Sequence, residues 1–326
     1  MRLNVVRASL LFTILFILAI AAAFGWGINR FHAPGPSTRD VTVVLAQGTG
    51  VRGISSQLVA AGIIFESQLF RIGVRLSQRS RDLKAGEYMF PAKISAKETM
   101  DLLLSGRTVV RRVTVPEGLT SAEIVGLLRK TDGLDGVLVS VPEEGSLLPE
   151  TYHFSYGYRR VDLLERMRHA MRDTLAALWQ DRPDGLPLAT PREAMILASI
   201  IEKETSVDDE RAHVAGVFVN RLRRGMRLQS DPTVRYAVSL GQDRLSRPLT
   251  RADLNIDSPF NTYRVKGLPP TPIANPGYAA IQAAIQPLAT LDLYFVADGS
   301  GGHAFAQTLR EHSRNVAKWR RLKRSP

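Results

Sequence analysis

The sequence predicts an α+β protein in three parts: an N-terminal transmembrane helix, a region of small α+β units, and a mainly helical mixed domain. Three observations carry this. From Ala8 to Ile28 the chain holds 21 consecutive uncharged positions, long enough to cross a hydrocarbon core of ~30 Å. Val43-Val44-Leu45, Gly48, Ile54 and Leu58 are matched 70 positions later by Val113-Thr114-Val115, Gly118, Ile124 and Leu128, each copy reading as strand, glycine turn and helix. From Gly145 onward apolar residues recur at helical spacing between polar and proline-rich loops.

The apolar run is assigned, with its tip, to residues 1–30. Arg2 and Arg7 precede it, which places the short N-terminus in the cytoplasm and the bulk of the chain outside. Trp26 and Arg30 suit the far interface. A cleaved signal peptide is the rival reading, since Ala21-Ala22-Ala23 offers small residues. The run exceeds the usual ~7–15-residue signal core, which favours an uncleaved anchor. Either way most of the chain leaves the cytoplasm. That argues against nucleic acid as the partner of a chain with 43 Lys and Arg, 31 Asp and Glu and a net charge of +12, and leaves an anionic membrane face or an acidic polymer. Cysteine is absent, which excludes thiolate catalysis, disulfides and cysteine metal sites and suits an oxidising compartment.

Residues 31–40, Phe-His-Ala-Pro-Gly-Pro-Ser-Thr-Arg-Asp, read as a linker. The repeat-bearing region spans 41–140. Between its copies a strand is expected around Tyr88–Phe90 and a helix from about Lys97 to Leu104, opened by a capping box of Ser95 and Glu98. Such units bind or space; two ordinary βα hairpins without binding function would read the same. The third part spans 145–326. A helix is expected from Val161 to about Trp179, a turn at Arg182–Gly185, and a second helix opened by Thr190 as N-cap with Pro191 and Glu193 behind it.

That second helix reads PREAMILASIIEKET. Ile201, Ile200, Leu197 and Ile196 stand three, four, seven and eight positions before Glu204, so Glu204 lies on the apolar stripe. Glu202 backs onto Ser199 and Ala198 instead. A carboxyl pressed against apolar neighbours resists ionisation, as a general acid near neutral pH must. Two residues apart on a helix, Glu202 and Glu204 point about 200° apart and cannot flank one bond. The competing reading has Glu204 at the helix end, solvated or paired with Arg211.

Downstream, a helix starts at Val214–Phe218 and stops at Arg223-Arg224-Gly225. Short hydrogen-bonding side chains then gather: Asn220, Arg221, Gln229, Ser230, Asp231 and Thr233, followed by Asn255, Ser258, Asn261, Thr262 and Tyr263. Pro269, Pro270 and Pro272 hold the next loop rigid and preclude regular helix or central strand there. A helix-borne acid beside rigid polar loops is what a sugar cleft requires. Tyr236 and Tyr263 are ring-stacking candidates or core residues.

Glu202-Lys203-Glu204-Thr205, Val217–Leu222, Gly225–Val234, Asn261-Thr262-Tyr263, Gly267–Pro270 and Leu293–Ala297 resemble the endolytic murein transglycosylase family, MltG or YceG-like. The resemblance extends over the chain and is densest from about residue 190 to 313. It implies a single-pass protein of the bacterial inner membrane, a LysM-like periplasmic region, and non-hydrolytic cleavage between N-acetylmuramic acid and N-acetylglucosamine that leaves a 1,6-anhydro end. It places the catalytic acid on Glu204 and an acidic cleft residue at Glu150; with Glu150, the substrate-binding candidates are Asn220, Arg221, Gln229, Asp231, Thr233, Asn261 and Tyr263 of the polar stretches. It implies no metal and no cofactor. Peptidoglycan glycan strands are the expected partner, with cell-wall synthases as companions. Thr271 and Ala237 stand where the family commonly has glycine.

Two other classes stay open on the residues alone: a non-catalytic peptidoglycan-binding scaffold, and a lysozyme-type hydrolase with Asp231 or Glu150 as its second carboxylate. His303 and His312, nine apart and without a third ligand, fit a structural or substrate-edge role better than a metal site. The run Lys318–Arg324 reads as a basic tail.

Overall fold

The computed structural model describes residues 2–242, 245 and 247–323. They form two compact units, one of residues up to Arg111 with His153–Gly157, the other of Arg112–Tyr152 with Tyr158 onward. The division falls at Arg111–Arg112 rather than near 140, so the second copy of the repeat belongs with the helical part. The reason is local. Gly118 N donates to Asn275 O and Asn275 N donates to Leu119 O, both at 2.9 Å, tying the glycine turn to the proline-rich loop.

The first unit runs α1 (Arg2–His32), β1 (Val41–Leu45), α2 (Val51–Ala60), α3 (Ser67–Leu76), β2 (Gly86–Phe90) and α4 (Ala96–Ser105). β1 and β2 pair antiparallel, with Val41 opposite Phe90 and Leu45 opposite Gly86. Leu45, Leu58, Phe70, Tyr88 and Leu103 are fully buried between this ribbon and the helices. The capping box that opens α4 is complete: Ser95 Oγ accepts from Glu98 N and Glu98 Oε2 accepts from Ser95 N. The segment 31–40 is not a free linker. Helix α1 continues to His32, and Phe31 is buried in the core of this unit. Gly35 N donates to Lys93 O at 3.1 Å, Lys93 N to Ser37 O at 2.7 Å, and Ala92 N to Asp40 Oδ1 at 2.9 Å. An apolar residue just past the long apolar run gains more by packing than by solvation, and the chain behind it is fastened accordingly.

The second unit contains most of β3 (Val110–Thr114), then α5 (Ser121–Lys130), β4 (Leu134–Asp135), part of β5 (Thr151–Ser155), β6 (Tyr158–Arg159), α6 (Arg160–Gln180), α7 (Pro191–Glu204), α8 (Arg211–Arg223), α9 (Asp231–Ser239), α10 (Tyr278–Ile285), β7 (Tyr294–Ala297), β8 (His303–Ala306) and α11 (Leu309–Leu322). β3 pairs with β5, β4 runs parallel to β6, and β7 and β8 form an antiparallel hairpin. The centre is α7. Ala194 through Ile201 are all buried, the all-round apolar signature of an interior helix, and α6, α8 and α10 pack around it. Asp231–Ser239 is a helix where the sequence reads as polar loop. Asp231 and Pro232 open it, an acid and a proline in the first turn where both are favoured. The basic tail expected through Lys318–Arg324 is helical from Lys318 to Leu322; Arg324 lies outside the described residues.

Gly216 on α8 is fixed by close approach. A Cβ there would sit 2.4 Å from Leu288 O. Gly216→Ala is therefore expected to destabilise the protein by about 1–3 kcal/mol, measured as a lower urea midpoint with unchanged m-value.

Candidate active site

Helix α7 positions the site. Thr190 Oγ1 accepts from Glu193 N at 3.2 Å, Pro191 sits in the first turn, and Glu193 Oε2 accepts from Ala189 N at 2.6 Å. At the other end three successive side chains leave the helix in three directions, as 100° per residue requires. Glu202 Oε2 accepts from Gly277 N at 3.0 Å. Lys203 Nζ donates to Gly118 O at 3.0 Å. Glu204, the last helical residue, lines a cleft of about 420 Å³ whose walls include Thr120, Asp231, Arg235, Tyr236 and Ile273. The cleft lies within the second unit and is of small-molecule size.

Glu204 is partly buried and does not pair with Arg211, which pairs with Asp208 instead. Burial pushes its carboxyl up to about 7; the Ser230 hydroxyl works against this, Asp231 adds to it, and Arg221 opposes. Ser230 Oγ donates to Glu204 Oε1 at 2.5 Å across 26 residues of sequence. Ser230 is itself held: its N donates to Thr262 Oγ1 at 3.0 Å, and its carbonyl accepts from Thr233 Oγ1 at 2.6 Å. The Thr233 and Thr262 hydroxyls lie 2.8 Å apart, and Ser230, Thr233 and Thr262 are buried. A buried hydroxyl cage of this kind fixes one carboxyl oxygen as the acceptor and leaves the other to carry the proton.

Glu144 offers a contrast. Burial raises its carboxyl to about 7 as well, but both of its oxygens accept from Ser121 N at the start of α5, at 3.1 and 3.0 Å. It is outside the cleft lining. A perturbed carboxyl is a candidate acid when it also faces a space that substrate can enter.

The residues expected to bind substrate divide. Asp231 shares the cleft with Glu204, is exposed, and accepts from Tyr263 Oη at 2.6 Å. Burial, then the Asp231 carboxylate, keep that phenol protonated. Gln229 is exposed beside Ser230, its backbone at φ 53°. Four others are turned inward. Asn220 Nδ2 donates to Thr290 O and Asp292 O at 2.8 and 3.1 Å. Arg221 Nε donates to Leu293 O at 2.6 Å and its Nη1 to Leu228 O at 2.7 Å. Thr233 belongs to the hydroxyl cage, and Asn261 Nδ2 donates to Leu254 O and Ile256 O at 3.0 and 2.9 Å. These four shape the loops rather than face the cleft, because buried backbone carbonyls without regular partners claim the available donors. Glu150 is exposed and is not among the cleft-lining residues.

Tyr236 lines the cleft with its ring 4.9 Å from Phe260, so it is both wall and packing. Ser230 reads in the sequence as one polar residue among several, and its contact with Glu204 is what singles it out. His303 Nδ1 pairs with Glu210 Oε2 at 2.7 Å and His312 stacks on Tyr294 at 5.1 Å. Among the described residues no group of three or more His, Asp and Glu is placed to hold a metal.

If Ser230 sets the orientation of Glu204, removing its hydroxyl has a two-part signature. Ser230→Ala is expected to lower the maximal rate about tenfold. Because the lost hydrogen bond favoured the carboxylate, the pKa of Glu204 rises and the alkaline limb of the pH–rate profile moves up. A pH–rate series on wild type and variant reads both.

The YceG-like family model matches residues 43–318. An endolytic murein transglycosylase of Bacillus subtilis is 28% identical over 93% of this chain and 91% of its own length. One of Streptococcus pneumoniae serotype 2 is 30% identical over 86% of this chain, and the chain spans 59% of that longer relative. A crystal structure of a yceG-like protein from Listeria monocytogenes is similar, with a TM-score of 0.50 and 29% identity, over 85% of this chain and 99% of the other. The family match runs from β1 through Glu204 and its cleft and on into the last helix, and by it the chain belongs to the YceG-like family.

Proposed function

We propose that this protein is a membrane-anchored endolytic lytic transglycosylase that cuts peptidoglycan glycan strands between N-acetylmuramic acid and N-acetylglucosamine. The observation that carries the reading is Glu204: a single carboxyl raised to about 7, facing a cleft, with one oxygen held by Ser230. A lytic transglycosylase needs one carboxyl. Protonated Glu204 gives its proton to the glycosidic oxygen as the bond to the anomeric carbon breaks. The resulting carboxylate then takes the proton of the same muramyl residue's 6-hydroxyl, whose oxygen attacks the anomeric carbon and closes the 1,6-anhydro ring. The acid is regenerated, and no water is consumed. Asp231, anchored by Tyr263, contributes negative charge near the developing oxocarbenium ion.

Helix α1 supports the anchor. Within Leu10–His32 an 18-residue window has a mean hydropathy of 2.4 and none of that window is buried, so in this reading the helix spans the bacterial inner membrane once. The LysM-like expectation covers residues 41–140, which include the strand–helix–helix–strand run β1–α2–α3–β2, and assigns that region a glycan-holding role. A cell-wall synthase as companion belongs to the same reading. Digestion of purified peptidoglycan by the full-length protein tests it: anhydro-muramyl ends are the expected product.

A further inference from the structure

Helix α3 carries two apolar faces. Phe70 and Val74 are fully buried in the core of the first unit. Phe65, Ile72 and Leu76 stand 48%, 55% and 65% exposed. At 100° per residue Ile72 and Leu76 share a face with Leu69, Phe65 continues it just before the helix, and Phe70 and Val74 lie on roughly the opposite side. The outward row is contiguous, and contiguous exposed apolar surface marks a place where something docks.

Its neighbour identifies the occupant. The row begins beside the last turns of α1. Gly73 lies so close to Phe31 that a Cβ there would meet the ring at 2.5 Å, and Leu69 Cδ1 is 3.9 Å from where a Cβ on Gly27 would stand. The Arg30 guanidinium sits 3.9 Å over the Phe65 ring. With α1 in a bilayer, residues 26–31 occupy its outer boundary, and Trp26, 62% exposed, is an interfacial aromatic. The exposed row of α3 is therefore level with the headgroups. Charge points the same way: from Phe65 to Arg81 the chain has Arg71, Arg75, Arg79 and Arg81 against one acid, Glu66. Arg79 is paired with Asp82; Arg75, exposed, and Arg71, half-buried, flank the apolar row on one side of the helix, where long side chains can reach anionic headgroups.

We propose that α3 is an interfacial helix that docks the first unit onto the anionic leaflet into which α1 inserts, with Ile72 and Leu76 entering the headgroup–acyl boundary and Arg71 and Arg75 holding phosphates. The proposal rests on the anchor reading of α1. A protein partner would cover an apolar row too, but the arginines and the position at the mouth of α1 fit a lipid surface.

The chain has no cysteine, so single labels report cleanly. Full-length protein carrying a polarity-sensitive fluorophore at Ile72→Cys, Leu76→Cys, Arg52→Cys or Phe16→Cys is reconstituted into phosphatidylethanolamine–phosphatidylglycerol vesicles with shallow or deep spin-labelled lipids. Labels at 72 and 76 are expected to be quenched by the shallow lipid, the Phe16 label by the deep lipid, and the Arg52 label on α2 by neither. The docking equilibrium at 76 is expected to fall roughly tenfold or more in Arg71→Glu/Arg75→Glu or without phosphatidylglycerol. Quenching at 16 with 72 and 76 as exposed as 52 would overturn the docking and leave the anchor intact. Labels at 72 and 76 shielded from water yet unquenched by lipid would overturn it in favour of a protein partner. An unquenched label at 16 would remove the anchor reading and the docking with it.

Discussion

Glu204→Gln is expected to reduce glycan cleavage by at least ~10³-fold while leaving the protein folded and, above neutral pH, more stable. The rate follows from chemistry: the amide has no proton to give the leaving oxygen and no basicity to take one from the 6-hydroxyl. The stability follows from the raised pKa. Burial holds the folded-state carboxyl near 7 against an ordinary 4.5, so between those values the folded state binds the extra proton. Stability then falls as pH rises through that window and is flat above it. The loss amounts to about 3 kcal/mol at most, and the Gln variant does not suffer it. Thermal melts at pH 5 and pH 8 should therefore show the variant near wild type at the lower pH and above it at the higher. Glu144, similarly raised, is present in both proteins and cancels in the comparison. The same titration sets the wild-type rate: the acid form is lost above pH 7, and cleavage should decline about tenfold per unit beyond it.

Arg221→Met is expected to be the most damaging single change to the fold, about 3 kcal/mol or more. Arg221 is 7% exposed and serves the carbonyls of Leu228 and Leu293 at 2.7 and 2.6 Å. Its guanidinium also lies 5.2 Å from the Tyr294 ring. An apolar replacement fills the volume but leaves those carbonyls buried without donors. Lysine supplies a point charge rather than a planar fork, so Arg221→Lys should recover a fraction only. The carbonyl of Leu228 is two residues from Ser230, and loosening it should also lower activity through Glu204. Urea unfolding separates the stability loss from the rate loss.

The proposed acid is legible in the sequence because its signal is local. The apolar stripe from Ile196 to Ile201 lies on the same helix as Glu204, and the caps at Ser95 and Thr190 are patterns of three or four residues; all are found in place. Asp231 was legible as a cleft residue for its place in a dense polar stretch. What escaped depends on contacts distant in sequence. Ser230 reaches Glu204 across 26 residues, and nothing near Ser230 marks it apart from its polar neighbours. Asn220, Arg221 and Asn261 read as ligands because their donors are conspicuous, yet a loop-rich domain has many carbonyls without regular partners, and those claimed them. Helix α9 is hard to read because it has only nine residues and opens with Asp231-Pro232, which reads equally as a turn. The segment 31–40 looked like a linker by composition; Phe31 in the core is a tertiary fact.

The central claim is that Glu204 alone supplies both proton transfers of a transglycosylation. Mass spectrometry of purified peptidoglycan after digestion by detergent-solubilised full-length protein, wild type against Glu204→Gln, tests it most directly. Wild type is expected to give 1,6-anhydro-muramyl ends and the variant none above background. Reducing ends from wild type would contradict it and make the enzyme a hydrolase with a second working carboxylate, Asp231 and Glu123 being the others that line the cleft.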